Sequence, residues 1–335
     1  MVKKISFLLF ILIAGLLPLF FMESRSSLII IINIAIMAIF AMSYDLLLGF
    51  TGIVSFGHVM YFGIGAFTTG ILMREMGPNW GTLLFSFLLV MIFATLLSLL
   101  LGAFTTRIKS HFFAMLTLAV AELLAVIAEK WKSITGGADG FSYSVPAFLK
   151  DKLTFSYVAI AMMLLIYFLL RKFTLSPMGR ILIGIRENER RMEALGYPVL
   201  RYKLIASVVA GVVAGFAGIL YGIGMRFVSV PSVLGIDLTL DALLMTIVGG
   251  VGTLIGAVLG AGLIELVSQG LQDLSKTIPF FERWLLFIGL VYILVVRFFP
   301  LGIVGTIYQM ISKWKGKGKT TYSSVGIVQE RAESE

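Results

Sequence analysis

A carboxylate, Glu122, stands near the middle of the apolar stretch Phe112 to Lys130. A charge at that depth costs roughly 2.5–3.5 kcal/mol on insertion scales, so it is expected inside the helix bundle or along a wet cavity, paired or protonated. Gating and structural pairing are both open as its role. Two glycine clusters, Gly49-Phe50-Thr51-Gly52 and Gly249-Gly250-Val251-Gly252, each follow one apolar run and precede another. Non-helical backbone at membrane depth is tolerated only where protein buries it or where it lines a water-filled cavity. Gly49, Gly52, Gly249, Gly250 and Gly252 are therefore candidates, with Glu122, for a translocation path; close helix packing is the alternative. For two series spaced by four, Gly252, Gly256, Gly260 and Ala210, Ala214, Gly218, Gly222, packing is the better reading, because small residues let helices approach. Asp45, Asp241 and Glu265 lie nearer span ends or breaks and carry less weight.

Other chemistry is excluded by spacing. His58 and His111 have no acid or cysteine at ligand spacing, and the chain has no cysteine at all, so no metal site is expected. Gly318-Lys319-Thr320 imitates the end of a phosphate-binding loop, but Lys313 stands where the first glycine would have to be and no strand precedes it. No ATP, metal or other cofactor is expected on this chain. A membrane enzyme would cluster acids, histidines or a metal motif at one membrane face, and no such cluster is visible. A self-sufficient secondary carrier would need an ionic pair or proton relay across several helices, whereas Glu122 alone is well placed.

The elements that must position these residues are long apolar helices. The chain has 335 residues, 59% hydrophobic and 13% charged, with mean hydropathy +1.01. Soluble domains are about half apolar and a quarter charged, so this chain uses lipid as solvent. Unbroken apolar runs such as Leu28 to Leu48 exclude a barrel, whose strands alternate, so the fold class is all-α: a polytopic transmembrane helix bundle. Nine stretches read as spans: Ile5 to Met22, Leu28 to Leu48, Val59 to Met73, Thr82 to Phe104, Phe112 to Lys130, Phe155 to Leu170, Leu204 to Met225, Leu238 to Leu266 and Trp284 to Phe299. Lys3 and Lys4 before the first span and the lysines from Lys313 to Lys319 place both ends in the cytoplasm, which requires an even number. Leu238 to Leu266 is too long for one span and is interrupted by glycines, so it is expected to cross twice or re-enter, giving about ten crossings. On that topology about two thirds of the 27 Lys and Arg residues face the cytoplasm, which is the physical meaning of the net charge of +9 and argues against nucleic acid as a partner. Ile5 to Met22 has a signal peptide as its alternative reading, against which stand its length and Pro18. Residues 1–311 form the transmembrane domain on this reading, and the Gly-, Lys- and Ser-rich tail, 312–335, is expected to be disordered.

One strongly charged segment, Arg171 to Lys203, interrupts the apolar pattern. Pro177 and Gly179 punctuate its exit from the membrane. A helix is expected from Gly179 to Gly196, with Ile181, Ile185, Met192 and Leu195 on one face and Arg186, Glu187, Arg190 and Arg191 displaced from it. Gly196 and Pro198 then stop it. Such a helix can lie on anionic lipid. Docking into a partner protein is favoured, because Glu187, Glu189 and Glu193 are mixed among the cations.

Four blocks in order resemble a known family. Asp45-Leu46-Leu47-Leu48-Gly49-Phe50-Thr51-Gly52-Ile53-Val54-Ser55-Phe56-Gly57-His58 resembles the signature of LivM-type permeases of branched-chain amino-acid ABC importers. The other three are Thr117-Leu118-Ala119 with Glu122 and the Thr135-Gly136-Gly137 loop, Gly179-Arg180 with Ile185 to Glu189 and Glu193-Ala194-Leu195-Gly196, and Gly249 to Gly256. Together they cover most of the chain from Asp45 to Arg297. The resemblance implies a type II ABC importer-like fold in the inner membrane of a prokaryote. It also implies a heteromeric assembly: a sister permease, two ATPase subunits that hold ATP and Mg, and an extracytoplasmic substrate-binding protein. In it Gly179, Arg180, Arg186, Glu187, Glu193, Ala194, Leu195 and Gly196 would form the helix that couples to the ATPases. Met192 stands where a small residue is common in the family. Related permeases carry urea and other amino acids, which are the alternative substrates.

Overall fold

The computed structural model describes residues 18, 25–105, 110–281, 283–299 and 302–307. The stretch read as a first span (5–22), the lysines before it, Arg107 and Lys109, and the tail from 312 lie outside the described residues, apart from position 18 itself.

Helix α1 (Arg25–Thr51) is apolar on all sides, and so it belongs at the centre of a bundle. Ile32, Ile36, Ile39, Phe40 and Leu46 on it are all but fully buried. Helices α2 (Val59–Met76) and α3 (Trp80–Thr105) follow, then α4 (Ser110–Lys130) and the single turn α5 (Lys132–Thr135). A two-residue strand β1 (Phe141–Ser142) and a 3-10 turn at Ala147–Leu149 lead to α6 (Lys152–Leu175). Asp151 caps α6, accepting the Thr154 N–H at 2.9 Å. The charged insert supplies α7 (Pro177–Glu187) and α8 (Glu189–Ala194), after which α9 (Val199–Met225) returns across the bundle to β2 (Phe227–Val228). The remaining helices are α10 (Val230–Leu234), α11 (Ile236–Gly249), α12 (Leu254–Thr277) and α13 (Trp284–Phe298), and residues 302–307 are helical.

The all-α expectation holds. Among the described residues the one sheet is the antiparallel pair β1–β2, with Phe141 opposite Val228 and Ser142 opposite Phe227. This pair marks one end of the bundle. Helix α6 leaves that end and reaches the insert, and α9 comes back, so the insert lies at the other end. Seven of the described helical stretches are long and apolar enough to cross a membrane. The run from Leu238 to Leu266 divides as expected: α11 ends at Gly249, and α12 begins at Leu254 as a separate helix of crossing length.

Helix α9 packs against α1, α2 and α3. Its small residues make this possible. A Cβ at Gly218 would sit 1.9 Å from the Phe62 carbonyl oxygen, and one at Gly65 would sit 2.0 Å from that of Gly215. Ala210, Ala214, Gly218 and Gly222 are all buried, which bears out the packing reading of that series. Gly256 and Gly260 do the same for α12 against α11, where a Cβ on Gly260 would lie 1.9 Å from the Met245 carbonyl. Large apolar side chains point outward instead on α3 (Leu84, Leu88, Leu96, Leu100) and α4 (Met115, Leu123, Val126).

The insert departs from the single helix that its pattern predicts. Asn188 is extended (φ −159°, ψ 96°), ending α7 and capping α8 through its Oδ1, which accepts the Arg191 N–H at 3.0 Å. Asn is among the best N-cap residues, and at this position that local preference outweighs helix continuity. The far end is as expected. Gly196 has φ 85°, and the Tyr197 N–H reaches the Met192 carbonyl at 3.1 Å while the Gly196 N–H reaches that of Glu193 at 2.9 Å, a Schellman closure.

Candidate functional site

The C-terminal end of α1 leaves carbonyls without helical partners. The Gly52 N–H reaches the Leu48 carbonyl and the Ile53 N–H that of Leu47, each at 3.2 Å, while the Thr51 hydroxyl donates to Leu47 at 2.6 Å. The Gly49 carbonyl is taken by a residue of the insert, Arg186, whose Nη1 donates to it. A guanidinium there also complements the negative end of the helix dipole. Gly52 (φ 73°) lets the Arg186 stem lie alongside, with Cγ 3.2 Å from where a Cβ would be.

Asp45, one turn before Gly49, is fully buried. Its Oδ1 accepts the Gly252 N–H at 2.7 Å, and its Oδ2 has no hydrogen-bond partner. Gly49 has no side chain because there is no room for one: a Cβ would lie 2.5 Å from Gly252 N and 2.3 Å from Asp45 Oδ1. Gly302 closes on the same turn, its Cβ position 2.4 Å from Gly250 Cα. The two glycine clusters predicted separately from sequence thus meet. Gly49, Gly249, Gly250 and Gly252 are buried in backbone-to-backbone contact, and Gly52 is exposed beside Arg186.

Further contacts hold the segment that follows the end of α1. The Val59 N–H reaches Thr239 Oγ1 at 3.0 Å, and Gly57 lies against Thr117, where a Cβ would be 1.9 Å from the carbonyl oxygen. His58 is buried with Nε2 2.9 Å from Ser43 Oγ and its ring stacked on Phe40, an intramolecular packing role. Residues from the first, third and fourth motif blocks meet at the glycine turns, and Thr117 of the second packs against Gly57 of the first.

The insert's other residues divide into two groups. Gly179 is buried in the first turn of α7, and Leu182 and Ile185 pack inward. Met192 folds back on Gly184, with Sδ 2.9 Å from its Cβ position. The single apolar stripe expected from sequence is therefore split: Ile185 faces the bundle, Met192 covers α7, and Leu195 faces outward with 66% exposure. Arg180, Glu187, Glu193, Ala194 and Gly196 are exposed with Leu195. Lys203 at the base of α9 holds Glu189 at 2.5 Å.

Glu122 is not inside the chain's own bundle, contrary to expectation; it is exposed on α4, among Met115, Leu123 and Val126. The pattern of α4 cannot separate a face turned to its own bundle from one turned to something outside the chain. Glu265, given little weight, sits midway along α12, and the Tyr292 hydroxyl lies 3.5 Å from Asp241 Oδ1. Asp45 carried too little weight as well. The signal for it was present: a carboxylate four residues before a glycine shares its helix face with bare backbone.

A multi-pass helical bundle with a charged insert braced against two glycine turns is the build of a membrane permease subunit. The chain belongs to the family described as the branched-chain amino acid transport system / permease component, whose model matches residues 26–296. It is similar to the high-affinity branched-chain amino acid transport system permease protein LivM of Salmonella typhimurium, 25% identical, over 89% of this chain and 75% of that one. The LivM protein of Escherichia coli is likewise 25% identical, over 85% and 71%. A probable LivM permease of Methanocaldococcus jannaschii is 25% identical, over 73% and 78%. No solved structure matches the chain. Permeases of ABC transporters work with ATPase and substrate-binding partners, and membership places this chain in that setting.

Proposed function

We propose that the chain translocates branched-chain amino acids inward by alternating access, driven by two separate ATPase subunits that hold ATP and Mg. A sister permease completes the path and an extracytoplasmic substrate-binding protein delivers the substrate. The membrane is the inner membrane of a prokaryote, with both termini and the insert in the cytoplasm. The substrate class rests on the three LivM relatives. One observation carries the coupling role: α8 and its closing turn present Glu193, Ala194, Leu195 and Gly196 outward, while α7 beneath them is braced on α1 through Arg186. An exposed leucine at the tip of a charged, well-anchored turn is suited to a protein groove. Glu122, which hydrocarbon would penalise, faces the path shared with the sister permease.

The test is to purify the tagged chain with its native partners. Ala194→Asp and Leu195→Glu should lose the ATPase subunits or uncouple hydrolysis from uptake while the chain inserts normally, because both positions lie outside the bundle. Variants that keep the ATPases and parent uptake would refute docking and leave a helix lying on the membrane surface.

A further inference from the structure

We propose that Asp45 is a positioning residue which, with Arg186, joins the insert and both glycine turns into one mechanical unit, so that movement of the insert reaches α12 directly. The inference rests on the insert being the ATPase-coupling element. Its own basis is the order of contacts. Arg186 on α7 donates to the Gly49 carbonyl at the end of α1, and Asp45 one turn earlier accepts from Gly252, two residues before α12 begins. The first contact pairs a cation with the carbonyl end of α1, and the second sets a carboxylate just ahead of the N-terminus of α12. The backbones of Gly49 and Gly252 touch, so no side chain cushions the join and the turns cannot slide past each other freely. A covalent route from α7 to α12 would run through α8, α9, α10 and α11, whereas this route needs two hydrogen bonds.

A purely structural staple would set only how much complex forms; a transmitting one sets how much substrate moves per ATP. The experiment uses the complex purified with its own ATPases, reconstituted in vesicles, with leucine as the probe. Asp45→Ala should retain the ATPases in parent amount, while leucine uptake per ATP hydrolysed falls about tenfold, within the usual range for a lost coupling contact. Asp45→Asn keeps an acceptor for Gly252 and should recover most of the ratio. Arg186→Gln should lower it similarly, Arg186→Lys should lower it less, and the Asp45→Ala, Arg186→Gln double variant should be no worse than the poorer single one, as for residues in one chain of contacts. Parent uptake per ATP in Asp45→Ala or Arg186→Gln, or additive losses in the double variant, would overturn the proposal. If Asp45→Ala fails to accumulate in the membrane, Arg186→Gln decides alone, and loss of its ATPases would also overturn the proposal by making Arg186 a docking residue. Failure of the docking assignment is read separately, from a Leu195→Glu complex that keeps its ATPases and its uptake.

Discussion

Asp45 and Gly49 are one turn apart on α1, and residues two hundred positions away define what both do. Gly49 gives Asp45 a bare stretch of backbone across which Gly252 can approach, and the carboxylate then holds that approach at 2.7 Å. Gly49→Ala places a methyl group against Gly252 N and Cα, and overpacking of this kind costs about 1–3 kcal/mol. The purified variant should melt measurably lower than the parent; an unchanged Tm would show that the two turns are not packed together. At this scale the sequence was half legible. Glycine clusters between apolar runs announce themselves, because only protein or water can satisfy broken backbone at depth. That the clusters meet was hidden, because it depends on how α1 and α12 register against each other. Asp45 was legible in part: its spacing of four from Gly49 put it on the bare face of α1, but its partner there depends on that same register.

Among the elements, the division of the long apolar run is the feature that sequence showed best. Gly250 (φ 122°) and Gly252 (φ 80°) adopt backbone that other residues avoid, so a glycine-rich interruption in an over-long span was a sound signal of two helices. It also sets sidedness. Helix α12 starts beside the insert and runs away from it for 24 residues, a rise of about 36 Å at the usual 1.5 Å per residue. Ser275 near its end and Tyr197 beside the insert should therefore lie on opposite sides of the membrane. The chain has no cysteine, so Ser275→Cys and Tyr197→Cys each report alone. A membrane-impermeant thiol reagent applied to intact cells should label Ser275→Cys, and Tyr197→Cys only after permeabilisation; labelling of both from the same side would contradict the path of α12. The break at Asn188 was less legible. Hydrophobic periodicity runs across it, and only a local capping bond interrupts the helix.

For the whole molecule, composition established the solvent and the class of fold, since few charges and long apolar runs leave helices in lipid as the workable architecture. It could not say which apolar faces meet lipid and which meet another subunit, because both are built from the same residues. Glu122 shows the consequence. Its cost in hydrocarbon argued for shelter, and the shelter is not the chain's own bundle. On the proposed function, the face of α4 that bears it is the one a second permease completes, with the insert at one end of the bundle and the β1–β2 pair at the other. The account as a whole requires substrate to cross only when ATP is hydrolysed on the insert's side. The most direct measurement is leucine accumulation in vesicles carrying the purified complex with its binding protein, with and without ATP on that side, in the parent and in Leu195→Glu. The parent should accumulate leucine only with ATP, and Leu195→Glu should not accumulate it at all; ATP-independent accumulation by the parent, or ATP-driven accumulation by the variant at the parent rate, would contradict the account.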